Sequence, residues 1–292
     1  MKAIFNHFLA LIFAVLMTLG MFAPDSIVID GVPEKAENTT RVISFNLRCN
    51  DDIYGTIKNR SKFITEAIKA YMPDSFGVQE ANRKWLDAFD KTLSDLYARV
   101  GEPRDNTRNS EYSCVYYLKD KFELIDSGTI WLSKTPDVFG SKSFSSSLPR
   151  ICTWATLKNK ETGAVYTHAN THLDHLLEST RVKQAKVLVE KIKELSEVSA
   201  KVVCTGDFNT EEGAKAYKVV AGELNDSKFV AKTSDSGATF HDYGRPLTGK
   251  KKPIDFIFVT KGVEVETYKI IDNTVNYMYL SDHYGLCADI YI

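Results

Sequence analysis

Apolar residues follow two periodicities along this chain, and together they predict a mixed fold of helices and strands. At Phe63, Ile64, Ala67, Ile68 and Tyr71 the spacing is helical, whereas most other apolar runs are short and of strand length. The predicted helices cover 59–72, 82–96, 178–196 and a short segment from about residue 213. The predicted strands cover 41–47, 74–80, 113–119, 122–132, 150–157, 165–173, 201–207, 254–259, 263–271 and 284–292.

The order of these elements predicts two related halves. Strand and helix alternate first, several strands follow, and a strand–helix–strand order then returns. Each half would have helices that cover a mostly antiparallel sheet. Two such sheets packed face to face, with the helices outside, form a four-layer α/β/β/α sandwich of the α+β class. No shift in composition divides residues 41–292, so we expect one domain there.

The N-terminal segment has a different pattern from the rest of the chain. Lys2 precedes an almost wholly apolar run at 8–23, which Pro24 ends, and this is typical of an export signal peptide. The run is slightly shorter than the ~20 residues of a membrane-spanning helix, and an uncleaved N-terminal anchor is the alternative. We expect residues 1–23 to be a signal peptide or anchor and residues 24–40 a linker. The protein would then be secreted or associated with the cell envelope, touching a membrane only through an uncleaved segment.

Charge and cysteine content narrow the classes of function. The 292 residues carry a formal net charge of −1, so no overall basic field would attract nucleic acid or acidic membranes. The basic run at 250–252 is interpreted as a solvated loop, with contact to a substrate phosphate as the alternative. The five cysteines show no metal-binding spacing. Four of them, Cys114, Cys152, Cys204 and Cys287, lie in apolar runs and are predicted to be small buried residues.

Polar clusters stand at the ends of six apolar strands, which is where sheet proteins build clefts. They are Asn46 in SFNL, Glu80 in GVQE, His172 with Asp174 and His175 in NTHLDH, Asp207 with Asn209 in GDFN, Asp255 in PIDFIFV, and Asp282 with His283 in LSDH. Each cluster on its own would be explained by a turn or a helix cap. Their occurrence together in one domain favours a common active site.

Part of this set suits a hard divalent cation, which prefers oxygen ligands and tolerates bound water. Glu80, Asp282 and the amide oxygen of Asn46 are the candidate metal ligands. Such an ion polarises a phosphoryl oxygen and offsets negative charge in the transition state. The residue types therefore indicate hydrolysis of a phosphate ester.

The remaining residues suit the activation of water and the stabilisation of charge. Asp207 can orient or deprotonate the attacking water. His172, His283 and the amide of Asn209 can donate hydrogen bonds to the phosphate. A carboxylate behind a histidine fixes its tautomer and raises its pKa, and Asp255 is the candidate for that role beside His283.

Taken in series, SFN, GVQE, NTH, GDFN, IDFIFV and SDH resemble the endonuclease/exonuclease/phosphatase superfamily, which includes deoxyribonuclease I-like nucleases. The resemblance covers roughly residues 41–292. It implies a divalent cofactor, Mg²⁺ or Mn²⁺, and a phosphate-ester substrate. By position it implies metal-site residues at Asn46, Glu80 and Asp282, the central histidine at His172, a water-orienting aspartate and its asparagine at Asp207 and Asn209, and a paired aspartate and terminal histidine at Asp255 and His283.

The resemblance also suggests two substrate-binding residues besides His172 and Asn209. Arg150, in LPRICTW, enters a central strand where relatives often place a phosphate-facing basic or aromatic residue. The alternative is an ordinary surface arginine. Asp174 recurs with the histidine in an exported bacterial branch of the superfamily, and a loop or cap role is its alternative.

We expect a monomeric phosphodiesterase or phosphatase that acts on a small phosphoester, sugar phosphate, phospholipid headgroup or cell-surface polymer. The first alternative is a sequence-tolerant extracellular nuclease. Nucleases of this fold contact several phosphates through basic loops. In this sequence the only basic run is the one at 250–252. The second alternative is a binding module that has lost catalysis. It is disfavoured because none of the principal positions is replaced.

Overall fold

The computed structural model describes residues 2–19, 21, 27, 29, 31–245, 252–271, 274–275 and 278–292. In chain order the helices are α1 (Lys2–Thr18), α2 (Ile57–Tyr71), α3 (Arg83–Leu93), α4 (Glu178–Val198), α5 (Lys215–Glu223) and α6 (Ser227–Val230), with a 3-10 turn at Asp242–Gly244. The strands are β1 (Thr40–Asn46), β2 (Ser75–Gln79), β3 (Tyr97–Val100), β4 (Val115–Leu118), β5 (Phe122–Trp131), β6 (Ile151–Asn159), β7 (Val165–His172), β8 (Val202–Asp207), β9 (Leu224–Asp226), β10 (Ala231–Ser234), β11 (Asp255–Thr260), β12 (Val265–Ile271), β13 (Thr274–Val275), β14 (Met278–Tyr279) and β15 (Gly285–Ile290).

Two large sheets organise the domain. The first has seven strands in the order β10-β12-β15-β1-β2-β4-β3, and β1 runs parallel to β2 and antiparallel to β15. The second has six strands in the order β5-β6-β7-β8-β11-β9, in which β7 and β8 are parallel and the other neighbours antiparallel. Both sheets are mostly antiparallel, as predicted.

Apolar side chains fill three layers between and outside the sheets. Val42, Tyr166 and Ile257 belong to the layer that the two sheets enclose. Helices α2 and α3 cover the outer face of the first sheet, where Trp85 is fully buried. Helices α4 and α5 cover the outer face of the second sheet, where Leu188 is fully buried. The predicted four-layer α/β/β/α sandwich is therefore confirmed.

At one end the two sheets meet through polar groups instead. Gln79 Nε2 donates to Asn170 Oδ1 at 2.7 Å, and Asn170 Nδ2 donates to the carbonyl of Val78 at 2.9 Å. A Cβ atom at Gly77 would lie 2.3 Å from Thr205 Oγ1, so only glycine permits this approach. The ends of β1 and β2 are thereby brought against the ends of β7 and β8.

Capped helix starts fix the loops that leave β1 and β2. The Thr56 side chain caps α2, and the Asn82 side chain caps α3 by accepting from the amides of Lys84 and Trp85. The helix predicted at 82–96 ends at Leu93, because residues 97–100 form the edge strand β3. The strands β3, β9 and β10 and the helix α6 are too short to carry a clear periodicity, and the sequence pattern did not predict them.

The N-terminal part of the chain packs against the domain. Helix α1 buries Ala10 and Ala14, and Ala10 belongs to an apolar cluster with Tyr243 and Tyr279. Within the described residues, every helix is too short or too polar to span a bilayer. The end of the predicted linker is also attached, since the carbonyl of Pro33 accepts a hydrogen bond from Arg41.

The cysteines behave as the apolar context predicts. Cys114, Cys152, Cys204 and Cys287 are buried in the sheets as free thiols. Cys49 is partly exposed and also free. Desolvation by burial raises the pKa of the Cys114 and Cys152 thiols to about 12, so both stay protonated near neutral pH.

Candidate active site

Strand register brings the predicted polar residues to one edge of the sandwich. His172 pairs with Asp207 across the parallel strands β7 and β8, and Asp207 pairs with Asp255 across the antiparallel strands β8 and β11. The first sheet adds Asn46 at the end of β1, Glu80 directly after β2, and Asp282 with His283 just before β15. Residues far apart in sequence therefore face one another, with each sheet supplying one group.

These residues surround an open cavity of about 380 Å³. We call the part with Glu80 and Asp282 its acidic side and the part with Arg104 and Arg150 its basic side. The acidic residues that line it are Glu80, Glu111, Asp207, Asp242 and Asp282. The basic and imidazole residues are Arg48, Arg104, Arg150, His172, His175 and His283. Asn46 and Asp255 lie beneath the surface of the cavity and hydrogen-bond to residues that line it.

Asp207 is at the centre of the cavity floor. Its Oδ2 accepts a hydrogen bond from Asn46 Nδ2 at 3.0 Å and lies 3.4 Å from His172 Nε2 and 3.8 Å from His283 Nε2. Its Oδ1 accepts from the Asn209 amide at 2.8 Å. Burial, followed by the negative charge of Asp255, raises the pKa of Asp207 to about 7. This carboxylate can therefore exchange a proton near neutral pH.

Asp255 and His283 form a buried pair that links the two sheets. His283 Nδ1 lies 2.9 Å from Asp255 Oδ2, and that same oxygen accepts from Thr239 Oγ1 at 2.5 Å. Burial alone would lower the pKa of His283, but the negative charge of Asp255 and then of Asp207 raises it to about 10. The imidazole is thus held as a cation, with Nε2 directed toward Asp207.

Glu80 adopts a backbone conformation that is unusual for its residue type. Its φ is +58°, and its Oε2 accepts from the Cys49 amide at 2.9 Å while Oε1 accepts from Asn46 Nδ2 at 3.2 Å. Non-glycine residues with positive φ are uncommon and often occur at functional sites. Burial would raise the pKa of Glu80, but the Cys49 hydrogen bond and the His283 charge lower it below its usual value.

Asp282 is the second carboxylate of the first sheet. Its nearest basic group, among the described ion pairs, is Arg48, whose Nη1 lies 3.6 Å from Oδ2. Ser281 Oγ donates to the carbonyl of Asn46 at 2.7 Å and so joins this loop to the end of β1. Burial raises the pKa of Asp282, and the negative charge of Glu80 adds to that effect although the His283 charge opposes it.

His172 and Asn209 form a polar wall of the second sheet. Asn209 Nδ2 lies 3.0 Å from His172 Nε2 and donates to the carbonyl of Leu173 at 3.1 Å. Burial, followed by the positive charge of Arg150, lowers the pKa of His172 well below its ordinary value. The ring is therefore neutral, and its Nε2 can accept from the Asn209 amide.

Arg150 is almost entirely buried on the basic side of the cavity, with 4% of its surface exposed. Its Nη2 lies 3.0 Å from His175 Nδ1, but neither Nε nor Nη1 has a hydrogen-bond partner among the described residues. Burial, followed by the positive charge of Arg104, lowers the pKa of Arg150. Arg150 thus lines the cavity with two buried donor atoms that the described residues leave unsatisfied.

Asp174 lies behind this wall and not on the cavity surface. Its Oδ2 accepts from Ser146 Oγ at 3.1 Å and from the Ser147 amide and hydroxyl at 2.8 and 2.6 Å. Its Oδ1 accepts from the amides of Leu176 and Leu177. The structure therefore places Asp174 as the anchor of the 143–148 loop and of the segment that carries His175.

Arg60 of α2 supports the acidic side from below and is fully buried. No carboxylate pairs with it in the described part of the chain, and its partners are backbone oxygens instead. They are the carbonyls of Leu47 at 2.6 Å, Asn50 at 2.7 Å, Arg48 at 3.0 Å, Leu280 at 3.2 Å and Gly55 at 3.4 Å. One guanidinium thereby fastens the loop after β1 to the loop that precedes Asp282.

Several residues that line the cavity were not assigned a role from the sequence. Arg48 follows Asn46 by two positions, so its place in the motif segment SFNLR could have marked it as a residue near the site. Arg104 and Glu111 lie in an irregular loop without periodicity, and only their pairing across seven positions reveals them. His175 was seen in the NTHLDH motif but not assigned, and its contact with Arg150 depends on the fold.

Of the basic run at 250–252, only Lys252 is described, and it is not among the described residues that line the cavity. Residues 250 and 251 lie outside the described residues. Lys252 is exposed, and its Nζ donates to the carbonyl of Glu212 at 3.4 Å.

Comparison with known proteins extends these observations. The model of the endonuclease/exonuclease/phosphatase family matches residues 43–283. Members of this family are hydrolases that act on phosphate esters, and its enzymes use divalent metals. Among curated proteins the chain has no significant match.

Solved structures share both the fold and part of the sequence. An endonuclease/exonuclease/phosphatase from Bacteroides vulgatus is 31% identical, with a TM-score of 0.79 over 87% of this chain and 99% of that one. A protein of Bacteroides thetaiotaomicron described as a mannosyl-6-phosphatase is 29% identical, with a TM-score of 0.78 over 87% of this chain and 100% of that one. The human Nocturnin catalytic domain, with bound sulfate, is 22% identical with a TM-score of 0.69 over 88% and 96%. Because the family model spans most of the sequence and the strand ends converge as its motifs require, the chain belongs to the endonuclease/exonuclease/phosphatase family.

Proposed function

We propose that this protein is a divalent-metal-dependent phosphoesterase that hydrolyses a small phosphate ester by attack of an activated water. The observation that carries the proposal is the guanidinium of Arg150, a residue that lines the cavity and whose Nε and Nη1 are buried and unpartnered within the described residues. A buried charge is costly unless hydrogen bonds satisfy it. A phosphate supplies acceptor oxygens in the arrangement that a guanidinium binds well.

The residues of the first sheet fit a divalent cation. Glu80 and Asp282 both line the cavity, and the charge of Glu80 adds to burial in raising the pKa of Asp282. Such mutual repulsion is relieved by a cation between them. We assign the ion to these two carboxylates, with Asn46 as a third ligand if its amide oxygen replaces the nitrogen that now faces Glu80. When bound, Mg²⁺ or Mn²⁺ would polarise a phosphoryl oxygen and offset negative charge.

A second group of residues has donor atoms spaced closely enough to hold a metal ion. Asp207, Asp255 and His283 have donor atoms that all lie within 4.8 Å of one another. However, Asp255 Oδ2 already accepts from Thr239, and His283 Nδ1 is directed at the same oxygen. We therefore assign these residues to proton transfer and charge stabilisation.

We assign the activation of water and the binding of the phosphate to residues of the second sheet, together with His283 of the first. Asp207, with its pKa near neutrality, accepts a proton from the attacking water as the water oxygen bonds to phosphorus. The bond between phosphorus and the alcohol oxygen breaks, and the leaving oxygen takes a proton from solvent in the open cavity. Asp207 then returns its proton to solvent. The His283 cation donates a hydrogen bond to a phosphoryl oxygen, and Asn209 donates the N–H that points at His172 Nε2 when no substrate is bound.

The size of the cavity supports a small substrate. A volume of about 380 Å³ accommodates a phosphorylated small molecule better than a polymer. The similarity to a mannosyl-6-phosphatase supports a sugar phosphate within that class. A sequence-tolerant nuclease is the alternative, and the net charge of −1 gives it less support. We further propose that the protein acts as a monomer and is exported through its N-terminal segment.

The test is metal-dependent hydrolysis of bis-p-nitrophenyl phosphate and a panel of phosphate monoesters. We expect activity with Mg²⁺ or Mn²⁺ and its loss with EDTA. Asp207→Ala and His283→Ala should each lower kcat by about 10²- to 10⁴-fold, since each removes a group that transfers a proton or donates to the phosphate. Asp120→Ala, at an exposed site, is the matched control and should retain wild-type kcat.

Two outcomes would overturn parts of this assignment. Activity that persists after both substitutions and in EDTA would reject the mechanism. Efficient plasmid nicking at the same metal concentration, with slow turnover of every small ester, would replace the substrate class by nucleic acid.

A further inference from the structure

A second arginine lines the cavity beside Arg150, and this one is paired. Arg104 Nη1 and Nη2 donate to the two carboxylate oxygens of Glu111 at 2.6 and 2.9 Å. Both side chains line the cavity and are largely buried, with 10% and 15% of their surfaces exposed. Arg104 Nε lacks a hydrogen-bond partner within the described residues, and an oxygen of Asp105 lies 3.7 Å away.

The loop that carries this pair is fixed to both sheets. The Arg104 amide donates to the carbonyl of Glu111 at 3.0 Å, which closes the loop on itself. The Tyr112 amide donates to the carbonyl of Ala81, in the segment that leaves β2, at 2.7 Å. On the other side, Trp131 Nε1 of β5 donates to the carbonyl of Arg104 at 2.8 Å. The pair is therefore held in a constant position relative to the candidate phosphate site.

Arg104 and Arg150 differ in whether a carboxylate neutralises them, and this difference favours different ligands. The carboxylate of Glu111 neutralises Arg104, whereas Arg150 lacks an acidic partner at hydrogen-bonding distance among the described residues. A phosphate is therefore attracted to Arg150 and gains little from a pair that is already neutral. Burial, and after it the negative charge of Glu80, raises the pKa of Glu111, so Glu111 lies close to the candidate metal side as well.

A paired guanidinium and carboxylate suits hydroxyl groups. Each terminal nitrogen of Arg104 has a second N–H, and each oxygen of Glu111 has a further lone pair. A hydroxyl can donate to the carboxylate and accept from the guanidinium together, and two adjacent hydroxyls match the parallel geometry of the pair. An apolar group in the same position would leave these polar atoms without partners, which is penalised strongly.

We propose that Arg104 and Glu111 bind hydroxyl groups of the alcohol part of the substrate, which is then a polyhydroxylated small molecule such as a hexose phosphate. This inference rests on the proposed phosphoesterase function. Arg150 holds the phosphate, and the Arg104–Glu111 pair selects the group attached to it. The pair is thus a specificity site that no catalytic step requires.

The experiment compares two phosphate esters of a six-membered ring, of which only one carries hydroxyl groups; the ring oxygen is the one further difference. Mannose 6-phosphate and cyclohexylmethyl phosphate are assayed with Mg²⁺ for the wild type, Glu111→Gln and Arg104→Lys. The wild type should prefer the hexose phosphate by at least about tenfold in kcat/KM. Glu111→Gln should abolish that preference, a loss of about tenfold, mainly through KM, because a hydrogen bond to a charged group is lost. Arg104→Lys should change the preference in the same direction by a smaller factor.

A control on the same loop separates binding from folding. Glu102→Gln, at an exposed position next to this loop, should leave the preference unchanged. Hydrolysis of cyclohexylmethyl phosphate by Glu111→Gln shows that the variant is folded and active, and thermal unfolding checks the fold. The preference is the ratio of the two kcat/KM values, so a change in phosphate affinity that is common to both esters cancels.

The outcomes distinguish the two proposals. If the wild type hydrolyses neither these esters nor the panel, the phosphoesterase proposal fails. If the wild type hydrolyses them but shows no preference, or if Glu111→Gln and Arg104→Lys slow both esters equally, the specificity role is overturned and the pair is structural. Loss of the preference in both variants, with the hydroxyl-free ester still hydrolysed, supports the proposal.

Discussion

Arg60 and Arg150 are both buried arginines, one on each side of the cavity, but their surroundings differ. Arg60 lies behind the acidic side and donates to five backbone carbonyls. Arg150 lies on the basic side, touches His175 through Nη2, and leaves Nε and Nη1 without partners among the described residues. Neither guanidinium has a carboxylate at hydrogen-bonding distance within that part of the chain.

The difference separates a structural charge from a ligand-binding charge. Desolvating a guanidinium is unfavourable, and hydrogen bonds to backbone oxygens can offset that penalty. For Arg60 the folded chain supplies those bonds, and in doing so it fixes the loops that carry the candidate metal residues. For Arg150 the compensation has to come from outside the chain, which points to an anionic ligand.

The largest effect is expected from Arg150→Met. Because the substitution removes the donors proposed for the phosphate, kcat/KM should fall by about 10³-fold, or about 4 kcal/mol. The free energy of unfolding should stay the same or rise, since an incompletely satisfied buried charge disappears. Steady-state kinetics and urea unfolding measure the two quantities. Arg83→Met, at a surface site with 69% of the side chain exposed, is the control.

The opposite result for Arg150 would contradict the proposed difference between the two arginines. A loss of stability without a loss of activity would show that Arg150 is structural, as Arg60 is.

Arg60→Met should act mainly on stability. Removing the donor leaves several buried carbonyls unsatisfied, so the free energy of unfolding should fall by about 3 kcal/mol. Arg60→Lys should recover only part of this loss, because one ammonium cannot reach carbonyls placed around a planar fork. Urea unfolding in metal-free buffer, beside Arg83→Met, gives the measurement. Wild-type stability in Arg60→Met, together with lost activity, would show that the hydrogen bonds from Arg60 to the carbonyls do not stabilise the fold.

Asp174→Asn should give the smallest effect. It tests a buried anion whose hydrogen bonds are satisfied, in contrast to the incompletely satisfied cation Arg150 in front of it. Burial would raise its pKa, but hydrogen bonds from Ser147 and the following amides lower it. A lowered folded-state pKa stabilises the protein above the unfolded pKa, which is about 4. We expect the variant to lose about 2 kcal/mol at neutral pH. The gap from wild type should shrink as pH falls below about 4 through the lower folded-state pKa.

Unfolding curves between about pH 3 and pH 7 would test this sign. A gap that stays constant over the whole range would show that the carboxylate charge contributes nothing to the loop.

Much of the architecture was accessible from the sequence because each central strand is apolar up to a polar end. The runs before Asn46, Glu80 and Asp207 specify buried strands, and their ends had to meet at one edge once the sheets paired. The convergence of these residues followed from strand direction alone. The short edge strand β3 was missed because four residues at the sheet edge carry too little pattern.

The parts of the site that could not be predicted depend on contacts between distant segments. On sequence alone Arg60 is one of several charged residues in an amphipathic helix, and nothing marks it as buried. The orientation of Asp174 is decided by Ser146 and Ser147, about 28 positions earlier in the chain. The pairing of Arg104 with Glu111 arises from a loop whose shape is set by both sheets.

Gly77 has a consequence beyond its own packing. The candidate metal ligands belong to one sheet, and Asp207 and Asn209 belong to the other. The missing side chain at Gly77 sets how closely these two layers can approach. The candidate site is consequently a gap whose width is set from behind, at a residue that does not line the cavity. Surface loops can diversify around such a gap without altering it, which offers a physical reason why one scaffold can accept different esters.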